Sequence, residues 1–323
     1  ADGTFKGHTH SQGILPTILG ILSYALVVGD DDLATWSRSA YEHARRYTSS
    51  FGWIPDGLGF TLDETPFAGT CETCALADLI EIAIALTEAG LGDYWDDIDR
   101  YARNQLLEQQ LRDVPLLAPN GADPTVAAII RGAFDSAALP NSLIGDRHGL
   151  VEGCCTPAGA RACMLVWDRI VTRDEEGVHV NLLFSRDTPW ARLISSEPYK
   201  GELRLEVRQA APFFLRLPAW IDQNRVRLTV NGKERPAAWR GQSLVLGDAR
   251  PGQTFVVTYP QSDREITDTI AGSDYVTQWK GSTVTHITPT GGRYPIYQRA
   301  ALESAEPPMI EREPVVRPVV VSW

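Results

Sequence analysis

The spacing of apolar residues changes period near Asp174, and that change divides the chain into two kinds of structure. Before it, apolar side chains recur every three to four positions, as one face of a helix requires. Ile14, Leu15, Ile18, Leu19, Leu22 and Leu26 make such a face, with Pro16 tolerated in the first turn and Gly29 as a stop. Asp31 or Asp32 is placed to cap the next helix, whose face is Leu33, Trp36, Ala40, Ala44 and Tyr47. A third helix is expected from about 74 to 89, closed by Gly90 and Gly92, and a fourth carries Trp95, Ile98, Ala102 and Leu106. Shorter helical stretches near 124–134 and 157–170 bring the expectation to about six helices in antiparallel pairs. The segment 49–70 is rich in Gly, Pro and Asp and reads as one long loop, the kind that carries function in compact domains.

After Asp174 the period becomes two. Val178, Val180 and Leu182 alternate with polar residues, as do Leu203, Leu205 and Val207, and then Val226, Leu228 and Val230. Asn231-Gly232 is a hairpin turn signal, because both central positions of that turn need positive φ. Further strands are expected at 244–246 and 254–259, and the whole is the pattern of an antiparallel β-sandwich. The expected fold is therefore α then β, in three parts: helical over 1–170, β-sandwich over 171–262, and a less regular β-rich segment over 263–323.

Composition excludes some function classes. A net charge of -11 disfavours nucleic acid, whose phosphates need a basic surface. No uninterrupted apolar run reaches the ~18 residues of a membrane span, so no membrane partner is expected. The chain has 5 cysteines in 323 residues, an odd number in a protein too large to need disulfide staples. This suggests metal or redox chemistry in a reducing compartment, and a cytoplasmic location is expected.

Four of those cysteines fall in two tight clusters. One is Gly69-Thr70-Cys71-Glu72-Thr73-Cys74 and the other is Glu152-Gly153-Cys154-Cys155-Thr156-Pro157, each just before a helix. The positive end of a helix dipole favours thiolate there. Thiolates with one carboxylate suit tetrahedral zinc. Spacing leaves two ligand sets open: Cys71, Cys74, Cys154 and Cys155 as a closed structural site, or Glu72 and Cys74 with the adjacent pair. A non-metal reading, in which the cysteines are small buried hydrophobes, is also open.

Glu-Thr-Cys before one apolar helix, with Gly-Cys-Cys before another and a β-sandwich after it, resembles glycoside hydrolase family 127. The type activity of that family is β-L-arabinofuranosidase. The resemblance extends to Gly7-His8, to the strand with Val178, Asn181 and Leu182, and to the stretch from Pro218-Ala219-Trp220 to Val230-Asn231-Gly232. It implies Zn2+ held by Glu72, Cys74, Cys154 and Cys155, with Cys154 as nucleophile and Cys71 as a bystander. A zinc-bound sulfur stays thiolate near neutral pH and forms a covalent glycosyl intermediate. The acid/base of the family maps to Asp56, sixteen positions before Glu72, where this chain has the shorter carboxylate. Asp63 and Glu64 lie in the same loop, and Asp56 also reads as an ordinary turn aspartate before Gly57. The Pro-Pro-Asn that usually follows the cysteine pair is Thr156-Pro157-Ala158 here.

His8 matches a histidine that lines the sugar pocket in the family. His10 completes a His-x-His, but with no further ligand nearby in sequence it is not assigned to a metal. His148 reads as a surface-loop residue. The resemblance implies a glycosidase acting on an L-arabinofuranoside or related glycoside. It also implies an (α/α)6 barrel, and about six helices make only half of one. A second chain or a homo-oligomer is therefore expected to cover the open flank. The alternative reading is a non-catalytic sugar-binding or assembly subunit with a structural zinc site.

Overall fold

A computed structural model describes residues 10–112, 125, 129–143, 151–292, 294–299 and 302. Among these residues are five α-helices followed by antiparallel sheets: α1 (Ser11–Val28), α2 (Asp31–Arg45), α3 (Thr73–Glu88), α4 (Trp95–Tyr101) and α5 (Cys155–Arg169). That is one fewer than the sequence suggests, because most of 113–128 lies outside the described residues. α3 is central and packs between α1 and α5, with α2 behind α1 and α4 behind α3. Its position explains its composition: Leu76, Leu79, Ile80, Ile82, Ala83 and Leu86 are all buried, so apolar residues surround it rather than forming one stripe.

Gly29 ends α1 at φ 73, a left-handed conformation that glycine adopts without a Cβ clash. The cap of α2 is Asp30, not Asp31 or Asp32: its side chain accepts from the Leu33 amide, and the next two aspartates occupy the first turn, where the dipole favours them. α1 differs from expectation in another respect. It has a mean hydropathy of 1.6 over 18 residues, long and apolar enough to cross a membrane by length and composition, although only 28% of it is buried. Ser11, Gln12, Pro16 and Thr17 interrupt the run without lowering the average below that mark. One side of the helix, Leu15, Ile18, Leu22 and Ala25, is buried, and α1 packs on α2 and α3.

α4 passes into a π-helical turn, Ala102–Leu106. Its buried polar residues join the helices to the C-terminal sheet: the Asn104 side chain donates to the Ser282 carbonyl at 3.0 Å and accepts from the Val284 amide at 2.9 Å. Two sheets form the sandwich, one of five strands and one of six. Leu203, Leu205 and Val207 of one sheet and Phe213 and Leu215 of the other share a single buried core. Asn231 and Gly232 take φ 51 and 78 and turn the Arg227–Val230 strand into Lys233–Arg235, as the dipeptide requires. One pairing departs from the antiparallel pattern: Val178–Val180 lies parallel to the strand Ala211–Arg216. Residues 263–288 form a three-stranded antiparallel sheet whose register shifts between Gln278 and Trp279.

Candidate metal centre

Three helices begin at one place. His10 is the N-cap of α1, Glu72 of α3 and Cys154 of α5, and none of the three side chains caps its own helix. Each is therefore free to face the others, and the helix dipoles at these ends favour anionic groups. Thr73 anchors the start of α3 by donating to the Asp135 carbonyl at 2.6 Å.

The Cys74 and Cys155 sulfurs are 3.5 Å apart, and the Cys154 and Cys155 sulfurs 3.9 Å apart. Glu72 Oε1 lies 3.5 Å from Cys154 Sγ and 3.6 Å from Cys155 Sγ. All four donors fall within 4.8 Å of one another. Around tetrahedral zinc, with Zn–S of ~2.3 Å and Zn–O of ~2.0–2.2 Å, sulfurs lie about 3.8 Å apart and sulfur to oxygen about 3.5 Å. The donor set thus fits such an ion in both type and spacing. Cys154 is exposed, whereas Cys74, Cys155 and Glu72 are buried.

Without a cation, Cys74 and Cys154 favour the protonated thiol. A hydrogen bond with Cys155, burial and the nearby Glu72 push the Cys74 thiol far up. Burial pushes Cys154 up to about 11, against a hydrogen bond from Cys74 that acts the other way. A divalent cation reverses this balance, since it favours the charged form of every ligand at once.

Cys71 stands apart. Its sulfur faces Gln109 at 3.9 Å in a fully buried position, its backbone pairs with Ala138, and burial drives its thiol well above the ordinary range. The cluster that could hold a metal uses Glu72 in its place.

Asp56 is held near the cluster by backbone bonds. Its amide donates to the Thr70 carbonyl at 2.8 Å, and its carbonyl accepts from the Ser11 amide at 2.7 Å. Burial raises its carboxyl to about 7; His10 opposes this, and Glu72 and Glu152 reinforce it. His10 Nε2 lies 2.9 Å from Asp56 Oδ1 and 3.0 Å from Glu72 Oε2. Asp56, His10, Glu72 and Cys154 thus form one continuous chain of polar contacts. Asp63 and Glu64 are exposed, and Glu64 instead accepts from Thr61. His8 and His148 lie outside the described residues.

His10 is the site residue that sequence reasoning set aside. Its partners Asp56 and Glu72 are 46 and 62 positions away, so a search for neighbouring ligands misses them. A cavity of about 830 Å³ lies elsewhere, on the three-stranded sheet beside Glu265, Gln278, Lys280 and His286. It is lined by none of the thiols, and the chemistry of the donors marks the cysteine cluster as the candidate metal site.

No protein-family model and no curated protein matches the chain. Solved structures do. A GH127 beta-L-arabinofuranosidase from Geobacillus stearothermophilus T6 superposes with a TM-score of 0.62 at 16% identity, over 85% of this chain and 46% of that one. A second GH127 beta-arabinofuranosidase gives 0.64 at 16% identity, over 85% and 47%. A protein described as a glycoside hydrolase gives 0.62 at 15% identity, over 85% and 51%. Likeness at this identity establishes the fold, a helical domain followed by a β-sandwich. The chain spans about half the length of these structures.

Proposed function

We propose that this chain carries the reactive centre of a retaining glycosidase that acts on L-arabinofuranosides or related glycosides. The observation behind the proposal is the convergence of Glu72, Cys74, Cys154 and Cys155, with Cys154 alone open to solvent. Two of the solved neighbours are named as arabinofuranosidases, which suggests the sugar.

When bound, zinc would keep the coordinated sulfurs as thiolates at neutral pH. Glu72, Cys74 and Cys155 hold the ligand set in place at two helix starts. Cys154 Sγ attacks the anomeric carbon, so a C–S bond forms as the glycosidic C–O bond breaks. Asp56, raised to about 7, gives its proton to the leaving oxygen. In the second step Asp56 takes a proton from water, whose oxygen bonds to the anomeric carbon and releases the Cys154 sulfur. His8 is proposed as a wall of the sugar pocket.

The half-length match carries a second proposal. In an (α/α)6 barrel the layer α1–α3–α5 would be one side of the ring, and the other side would come from further polypeptide, a second chain or a second copy. That match also favours a rival reading, in which the chain is a non-catalytic sugar-binding or assembly subunit.

The zinc-loaded protein, alone and with any completing polypeptide, is assayed on an aryl β-L-arabinofuranoside. Turnover is expected to fall by about 10³-fold or more in Cys154→Ala. An activated substrate is expected to leave a pentosyl adduct on the peptide containing Cys154. Full turnover by Cys154→Ala with zinc still bound overturns the mechanism. Arabinoside binding with no hydrolysis in any combination favours the rival.

A further inference from the structure

We propose that His10, Asp56 and Glu72 form a second divalent-cation site, distinct from the thiolate site and joined to it through Glu72. The inference rests on the reading of Glu72 as a metal ligand and extends it to the other oxygen of that carboxylate.

The carboxylate faces two ways. Oε1 is turned to the sulfurs of Cys154 and Cys155, and Oε2 to His10 Nε2 at 3.0 Å. On that second side His10 Nε2 also lies 2.9 Å from Asp56 Oδ1. One imidazole nitrogen carries at most one hydrogen, so it serves two carboxylate oxygens only by sharing it in a weaker three-centre contact. The hydrogen bond is made to Glu72. Asp56 Oδ1 is buried with no hydrogen bond of its own beyond the 2.9 Å approach of His10, on a side chain only 10% exposed that is aimed at the other two donors. All three atoms lie within 4.8 Å of one another. Ligands about 2.1 Å from a cation at right angles are about 3 Å apart, the spacing seen here. One nitrogen and two oxygens are a harder set than three sulfurs and suit Zn2+, Co2+ or Mn2+ with water in the remaining positions. His10 is half exposed, which leaves room for that water and an entry route.

The site is expected to bind more weakly than the thiolate site, because it offers three protein donors rather than four and shares one of them. A cation there would occupy the Asp56 oxygen that the glycosidase reading uses for proton transfer. Filling the second site is therefore expected to slow turnover rather than support it.

The test is a Co2+ titration of metal-free protein, followed by ultraviolet absorption and by the number of equivalents bound. The first equivalent is expected to bring a sulfur-to-metal charge-transfer band. A second, about tenfold or more weaker, is expected to add none. His10→Gln should remove the second step and keep the band, which also reports an intact fold. His10→Asp, which returns a ligand oxygen, should restore part of the second step. Saturation at one equivalent, or a second step unchanged in His10→Gln, overturns the proposal. Absence of the sulfur band while the His10-dependent step persists overturns the zinc-thiolate reading and leaves this one standing.

Discussion

The two halves of the molecule finish their surfaces differently. Among the described residues, every large apolar side chain that is exposed lies before residue 170; Tyr24, Leu26, Val27 and Val28 are on α1, and Met164 and Trp167 on α5. The sandwich has none, and its Lys233–Arg235 edge strand is charged and exposed throughout. A charged edge is how a sheet avoids pairing with strangers. An apolar flank on both outer helices of a layer is what remains when a helical surface is made to be covered. Among the described residues the sandwich thus shows no exposed large apolar side chain, while the helical half shows several and also carries the cysteine cluster. Stability in the helical half should depend on what binds it; stability in the sandwich should not.

The largest effect that separates the two is metal loading. Cys74→Ser removes a buried sulfur of the proposed metal site and should abolish zinc binding there. A ligand present at 1,000 times its Kd stabilises the folded state by about 4 kcal/mol, so chelation should lower the unfolding free energy of the helical half by that order. Hydrogen exchange at the amides that open α3 and α5 should rise on chelation, and exchange in the strand Glu202–Val207 should stay as it was. Equal loosening of both halves would break the comparison.

Acid and base should act on the halves with opposite signs. Burial raises the Asp78 carboxyl in α3 to about 6, against the pull of Arg161 at 2.5 Å. A carboxylate raised in the folded state favours folding while protonated, so this stability is present below about pH 4 and is lost as pH climbs through about 6. Two pKa units amount to about 3 kcal/mol at most. In the sandwich, Asp174 is lowered: burial pushes it up, but the hydrogen bond and charge of His179 with the amides of Gly177 and Glu176 together outweigh that. Its contribution is present above the usual carboxylate range and is lost as pH falls below it. Denaturant midpoints of the metal-free protein from pH 3 to 8 check both signs. Asp78→Asn should remove only the loss of stability as pH climbs from about 4 to 6, and Asp174→Asn only the loss as pH falls at the acid end.

Local rules made much of this legible from residues alone. Gly29 as a stop, Asn231-Gly232 as a turn and the change of period near Asp174 are each decided within a few positions. The two cysteine motifs were visible because each is short and unusual. Their meeting was not, since 81 positions separate Cys74 from Cys155 and only tertiary packing joins them. Asp30, Asp31 and Asp32 are chemically alike, and backbone geometry alone selects the cap. His10 was missed for the reason Glu72 was ambiguous: its role comes from three helix starts gathering at one point, which no local spacing encodes. The parallel pairing of Val178–Val180 with Ala211–Arg216 is likewise a matter of chain path, because alternation shows which face is buried and not which way the neighbour runs.

The smallest effect tests the open flank itself. Val27 is 85% exposed and Met164 67%, on the two helices that bound the layer. Replacing either with Gln removes apolar surface without opening a cavity, so the unfolding free energy should change by no more than about 0.5 kcal/mol. Association should respond where stability does not. In sedimentation experiments, self-association or binding of a completing polypeptide should weaken in Val27→Gln and Met164→Gln, and weaken further in the double variant. A control at Thr229, in the sandwich, should leave association unchanged. A loss of about 2 kcal/mol or more in stability would mean that these side chains are covered by the chain's own structure. The flank would then be closed, and the contrast between the two halves would have to be drawn elsewhere.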